Sequence, residues 1–190
     1  MARPEDVIKM GKLGLSAHMS PYWMIMDKGF WKFYLPYLGP ERTFNKTYPH
    51  KSLFDAGVNV TVASDWITSE PDLMNAIYSG MKRIMPFRVY QQSRGSDDNY
   101  RYVTDPDEKL RENDISYLPP ESERVSLEEM VEAATINGAY GSFLEDEVGS
   151  IEVGKKADIV VLSKNLFKID TEEIPDVEIK MTFFEGKQVY

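Results

Sequence analysis

The sequence predicts an α/β fold followed by a small β-sheet segment, and three observations carry that prediction. Two runs rich in apolar or β-branched residues, "LSAHMS" (15–20) and "VNVTVAS" (58–64), read as short buried strands. Helical patterns lie between and after them, so the strands are expected to run parallel, joined by helical crossovers. From about residue 145 onward, helical periodicity gives way to short strands with glycine turns.

In chain order, "PEDVIKMGKLG" opens with acidic residues, places Val7, Ile8 and Leu13 near helical spacing and ends in glycine, the marks of a short helix. After the first strand, residues 21–39 hold Tyr22, Trp23, Trp31, Phe33, Tyr34 and Tyr37 in a short window, read as a loop and then a helix. The aromatic cluster is expected to pack against the rest of the fold or, if uncovered, to form an association patch. "YPHKSLFDAG" is a further helix, closed by Gly57. Beyond Pro71, "DLMNAIYSGMKRIM" sets Leu73, Ile77, Met81 and Ile84 at helical intervals, and its "MKR" reads as a solvated helix end. Residues 86–124 are polar, acidic and proline-containing, with "GSDDN" and "LPPESE" as turn signals, and form either a long surface loop or an insertion. Ser126 and Glu129 then fit a capping box, ahead of an apolar face of Leu127, Met130, Val131 and Ala134. "VGSIEVGKKADIVVLSKN" and "VEIKMTFFEGKQVY" complete the chain as short strands, with a boundary expected between Leu144 and Gly149.

Composition narrows the functional classes. The chain has 190 residues, 42% of them hydrophobic and 28% charged, which is ordinary for a globular protein with a real core. A complete eight-unit β/α barrel typically takes about 250 residues, so the chain is too short for one. The net charge of −9 repels phosphate backbones, and the basic residues are scattered, so no nucleic acid is expected as a partner. Cysteine is absent, which removes disulfides and thiolate metal sites. No apolar run approaches the roughly 20 residues that span a bilayer, and "MARPEDVIKMGK" lacks the apolar core of a signal peptide. No membrane partner and a cytoplasmic location are the resulting expectations.

The second strand raises the question of chemistry, because "VTVAS" runs directly into Asp65 and Trp66. A carboxylate at the end of a buried strand is paired, capped or used, since leaving it buried and alone costs several kcal/mol. In β/α architectures functional groups sit at the carboxyl ends of strands, and Asp65 holds such a place. The plain alternative is that Asp65 caps the following turn or pairs with a lysine or arginine. Trp23 and Trp66, each just past a strand end, either line an apolar substrate pocket or belong to the core. His18 either faces a substrate or is a satisfied histidine in a packed segment.

"AGVNVTVASDW", "AATINGAYGSF" and above all "GSIEVGKKADIVVL" closing with "EGKQVY" resemble the carboxyl-terminal part of the metal-dependent amidohydrolase superfamily, in the branch that includes N-substituted formamide deformylases. That resemblance implies a partial β/α barrel over residues 1–145, comprising the last two β/α units with a loop or insertion near 86–124. It implies a share of a small β-sandwich over residues 146–190. It further implies hydrolysis of carbon–nitrogen bonds other than peptide bonds in a small amide-like substrate. Asp65 would be a ligand to a divalent metal, zinc in the first instance, and the general base towards metal-bound water. Such a metal lowers the pKa of its water to about 7, and a carboxylate in reach accepts the remaining proton. His18, Trp23 and Trp66 would border the substrate.

The same resemblance exposes a deficit. Family members draw most of their metal ligands from a His-x-His pair, a mid-barrel lysine or glutamate, and later histidines. This sequence holds two histidines, His18 and His50, neither at a matching position, and a zinc site needs at least three protein ligands. Relatives often carry glutamine before the proline after the first strand and histidine two residues beyond it, where Ser20 and Trp23 stand here. Two readings follow. The chain is the carboxyl-terminal part of a hydrolase, inactive by itself and completed by an upstream barrel segment. Alternatively it is a non-catalytic remnant or binding module, a homo-oligomer covering its open strand edges.

Overall fold

The computed structural model describes residues 1–94 and 100–190. The "GSDDN" turn signal at 95–99 lies outside the described residues. Helix α1 (Pro4–Lys12) precedes strand β1 (Ser16–Met19). A 3₁₀ turn (Pro21–Trp23), strand β2 (Ile25–Met26) and a π-helical turn (Phe30–Tyr34) lead into α2 (Leu35–Lys46), which is kinked at Gly39–Pro40. Helix α3 (His50–Asp55) then returns the chain to β3 (Asn59–Val62). Strands β1 and β3 pair in parallel, with Ser16 opposite Asn59 and Met19 opposite Val62, as the helical crossover between them demands. Val7 of α1 and Leu53 of α3 pack on Val58 and Val60, closing one face of this pair.

Helix α4 (Leu73–Lys82) follows, N-capped by Asp72, whose Oδ1 accepts from the Asn75 N–H at 3.1 Å. The described residues between Pro86 and Leu118 carry regular elements. They form α5 (Phe87–Arg94), β4 (Tyr102–Val103) and β5 (Ile115–Tyr117). Strand β5 lies between β4, parallel to it, and β2, antiparallel to it. Strands of two or three residues carry no readable period, and Asp105, Asp107 and Glu108 lie in the exposed stretch 104–109 between β4 and β5. Asp114 is buried beneath β5 and held by Arg101, with Nε to Oδ1 at 3.0 Å and Nη2 to Oδ2 at 2.5 Å. The aromatic cluster divides here. Trp31 is half-buried and donates to the Asp114 carbonyl at 2.9 Å, whereas Phe33 and Tyr37 are exposed.

Helix α6 (Leu127–Ala134) begins with the anticipated capping box, Ser126 Oγ accepting from Glu129 N–H and Glu129 Oε2 from Ser126 N–H. Its buried face is Leu127, Met130 and Ala133, so Ala133 rather than Ala134 meets the core. A separate short helix, α7 (Ile136–Gly141), lies against β3, and Asn137 Nδ2 donates to the Val60 carbonyl at 3.1 Å.

The antiparallel sheet of β6 (Ile159–Leu162), β7 (Ile179–Phe184) and β8 (Lys187–Gln188) ends the chain. "GSIEV" is no strand: Ile151 and Val153 are exposed and lie in no regular element. Between β6 and β7 the chain folds back, and Leu166, Ile174 and Val177 join Met74, Ile77, Leu127 and Met130 in one core. Among the described residues no helix is long and apolar enough to cross a membrane.

Candidate active-site residues at the strand ends

The carboxyl end of β3 is set by a tight turn. Asp65 takes φ 61°, a left-handed conformation that aspartate tolerates better than most side chains. Its carbonyl accepts from Thr68 N–H at 2.8 Å and Ser69 N–H at 3.2 Å. Ser64 Oγ accepts from Trp66 N–H at 3.2 Å, and Ser69 Oγ donates to the Ser64 carbonyl. The backbone is thus fixed by its own hydrogen bonds, and the carboxylate is left free of the turn.

Trp23 arrives from the other strand. The 3₁₀ turn that carries it is anchored by Tyr22, whose hydroxyl donates to the Asp72 carbonyl at 2.7 Å. Burial, reinforced by Asp72, pushes the Tyr22 phenol up to about 12, so it remains a donor at neutral pH. Trp23 Nε1–H then donates to Asp65 Oδ2 at 3.2 Å. Two of the sequence-nominated residues are therefore brought together. Asp65 is exposed, so burial is not what its carboxylate must be relieved of, and Oδ1 has no partner among the described residues.

The other two nominated residues stand apart from this pair in their bonding. His18 is exposed on β1, its Nδ1 in a 2.6 Å hydrogen bond with Thr61 Oγ1, the residue beside it on β3. Its ring also lies beside Gly141 of α7. Trp66 is 71% exposed, so it is no core residue.

Sequence reasoning missed a second charged cluster. Arg83, read as part of a solvated helix end, is fully buried in the left-handed position that ends α4. Its Nε donates to the Leu118 carbonyl (2.8 Å), Nη1 to Tyr48 (2.9 Å) and Nη2 to Thr47 (3.2 Å) and Pro119 (3.3 Å). Burial lowers the guanidinium pKa to about 10, against the opposing pull of the Glu123 carboxylate. His50 is buried with both ring nitrogens unpartnered among the described residues, and desolvation, with Arg83 adding, holds it down near 3. Charged Arg83 thus ties the end of α4 to the residues before α3 and after β5, and neutral His50 lies beside Gly80 of α4. The only sequence hint is a helix ending at Lys82 with no glycine to take the left-handed position.

Among the described residues no group of three or more histidine, cysteine, aspartate or glutamate side chains is placed to hold an ion. Asp65 is one carboxylate, and the histidines are engaged or buried elsewhere.

A model of the amidohydrolase family matches residues 1–190. The chain belongs to that family. Curated relatives include Protein LONG AFTER FAR-RED 3 of Arabidopsis thaliana, 26% identical over 98% of this chain and 27% of its own length. Imidazolonepropionase of Bdellovibrio bacteriovorus is 33% identical over 78% of this chain and 26% of its own length. N-substituted formamide deformylase of Arthrobacter pascens is 24% identical over 94% and 27%. The chain therefore spans about a quarter of the length of these relatives. Among solved structures, an adenosine deaminase from Xanthomonas campestris with bound zinc superposes with TM-score 0.59 at 14% identity, covering 99% of this chain and 35% of that one. Guanine deaminase from E. coli gives 0.57 at 16%, covering 100% and 37%. These likenesses establish an α/β fold similar to the barrel enzymes of the family.

Proposed function

We propose that this chain is the carboxyl-terminal portion of a hydrolase acting on carbon–nitrogen bonds other than peptide bonds, and that Asp65 is its contribution to the reacting centre. The observation that carries the reading is Asp65 itself. It is a strand-end carboxylate fixed by a rigid turn, steadied on Oδ2 by Trp23, and open on Oδ1. In this reading β1 and β3 are the last two strands of a β/α barrel, and β6, β7 and β8 are one part of a β-sandwich. The described residues do not fit a complete metal centre; further ligands would come from polypeptide outside this sequence. What Asp65 supplies is a proton acceptor within reach of a bound substrate or water, with Trp23 holding one oxygen and so directing the other. His18, within β1, and Trp66, just past β3, would border the substrate.

A chimera tests this. Replacing the matching carboxyl-terminal segment of the Arthrobacter pascens deformylase with this chain is expected to give a metal-loaded enzyme that hydrolyses an N-substituted formamide. Asp65→Asn is expected to lower kcat by at least about a hundredfold, the scale of a positioned general base. A folded, metal-loaded chimera whose rate is indifferent to Asp65→Asn would refute the assignment. The second reading, a non-catalytic module, is favoured by the lack of a three-ligand cluster among the described residues. It predicts a chimera that folds, loads metal and does not turn over.

A further inference from the structure

Residues of α4, α5, β4 and β5 and residues 172–176 line an open cavity of about 330 Å³. Its walls include the rings of Tyr78, Phe87, Tyr102 and Tyr117, and its acidic groups are Glu172 and Asp176. None of these residues belongs to the Asp65 site. From this juxtaposition of four aromatic rings and two carboxylates, we propose that the cavity binds a small quaternary ammonium compound.

The rings are fixed in place. Phe87 and Tyr102 meet at 5.1 Å and 65°, forming a corner of the wall. Tyr78 donates its hydroxyl to Glu172 Oε2 at 2.7 Å, and Tyr102 donates to the Met85 carbonyl at 2.7 Å. Burial first, and the Glu172 charge as well, hold both phenols far above their usual range, so the rings stay neutral. Neutral aromatic faces attract cations through their quadrupoles. Tyr117 already does so, with the Arg124 guanidinium 4.9 Å from its centroid.

The charges around the cavity leave room for a cation. Glu172 is met by Lys82 Nζ at 2.7 Å, but Asp176 is exposed and has no partner among the described residues. Arg88 also lines the cavity, and its Nη2 is engaged by Asp72 Oδ2 (3.1 Å) and Asn75 Oδ1 (2.8 Å). A hydrated metal ion or primary ammonium needs several oxygen acceptors to replace its water. A quaternary ammonium needs none, and gains from rings on several sides. The volume lies at the small-ligand end of the range for binding cavities.

The test is isothermal titration of the full chain with choline and with its neutral isostere 3,3-dimethyl-1-butanol. Choline is expected to bind saturably and at least about tenfold tighter than the isostere, since only the charge differs. Phe87→Ala and Asp176→Asn replace exposed side chains, and each is expected to weaken choline binding by about fivefold with an unchanged far-ultraviolet circular dichroism spectrum. Ring-proton shifts of Tyr78 and Tyr102 on titrating the unmodified protein place the ligand without any variant. Absence of saturable choline binding, equal affinity for the isostere, or choline shifts that miss these tyrosines would each overturn the proposal.

Discussion

Asp65 and Arg83 are both charged residues held in the left-handed region at the end of a regular element, with φ of 61° and 57°. One stands in solvent with a free carboxylate oxygen, and the other is wholly buried with its guanidinium spread over four backbone carbonyls. Arg83 joins α4 to the chain before α3 and to the segment after β5, so the fold depends on its charge. The fold asks nothing comparable of the Asp65 side chain, since its turn is closed by backbone and serine hydroxyl bonds. A fixed, exposed carboxylate whose turn closes without it is free for the role proposed above, whereas a buried cation bonded to four carbonyls serves the fold.

Breaking the buried side of this contrast should have the largest effect. Arg83→Ala strands several buried carbonyls and is expected to cost at least about 3 kcal/mol in urea unfolding. A loss under about 1 kcal/mol would show that water replaces the guanidinium at little cost.

The pH dependence of stability comes next. His50 has a folded-state pKa near 3, below its unfolded value of 6.5, so between those values the unfolded chain binds the extra proton. Stability from this group is fully present above pH 6.5 and falls with pH by about 1.4 kcal/mol per unit, levelling off below about pH 3. His50→Phe, compared with the unmodified protein across this window, should remove that share of the slope. An identical slope in both would mean that His50 titrates normally.

Smaller effects belong to the caps. Glu123 accepts from Ser52 N–H at 3.0 Å and from the Ser52 hydroxyl, closing the start of α3, and Glu123→Ala is expected to cost about 1–2 kcal/mol. Ser126→Ala removes half of the capping box of α6 and should cost about 1 kcal/mol. Asp65→Asn should come last, within about 0.5 kcal/mol of the unmodified protein. A larger loss there would move Asp65 into the structural class and dissolve the contrast.

Much of the fold was legible because its signals are local. The α3 stop at Gly57, the Asp72-led α4, the Ser126–Glu129 box and the parallel β1–β3 pair each depend on residues close together in sequence or on the length of the crossover. Strands β2, β4 and β5 were not legible, since each is two or three residues long and owes its existence to partners far away in the chain. The burial of Arg83 is invisible for the same reason, as its acceptors come from residues 47–48 and 118–119. At the candidate site, the position of Asp65 past a strand could be read directly, whereas its link to Trp23, 42 residues away, could not. The expectation that Asp65 would be a buried charge failed because the turn after β3 carries it out of the sheet.

The most direct test is equilibrium dialysis of the purified chain against zinc, followed by elemental analysis, for the unmodified protein and for Asp65→Ala. If Asp65 is one ligand of a centre whose others lie outside this sequence, both proteins retain the same substoichiometric zinc. One equivalent of zinc in the unmodified chain, lost in Asp65→Ala, would contradict that account by showing that this chain completes the site alone.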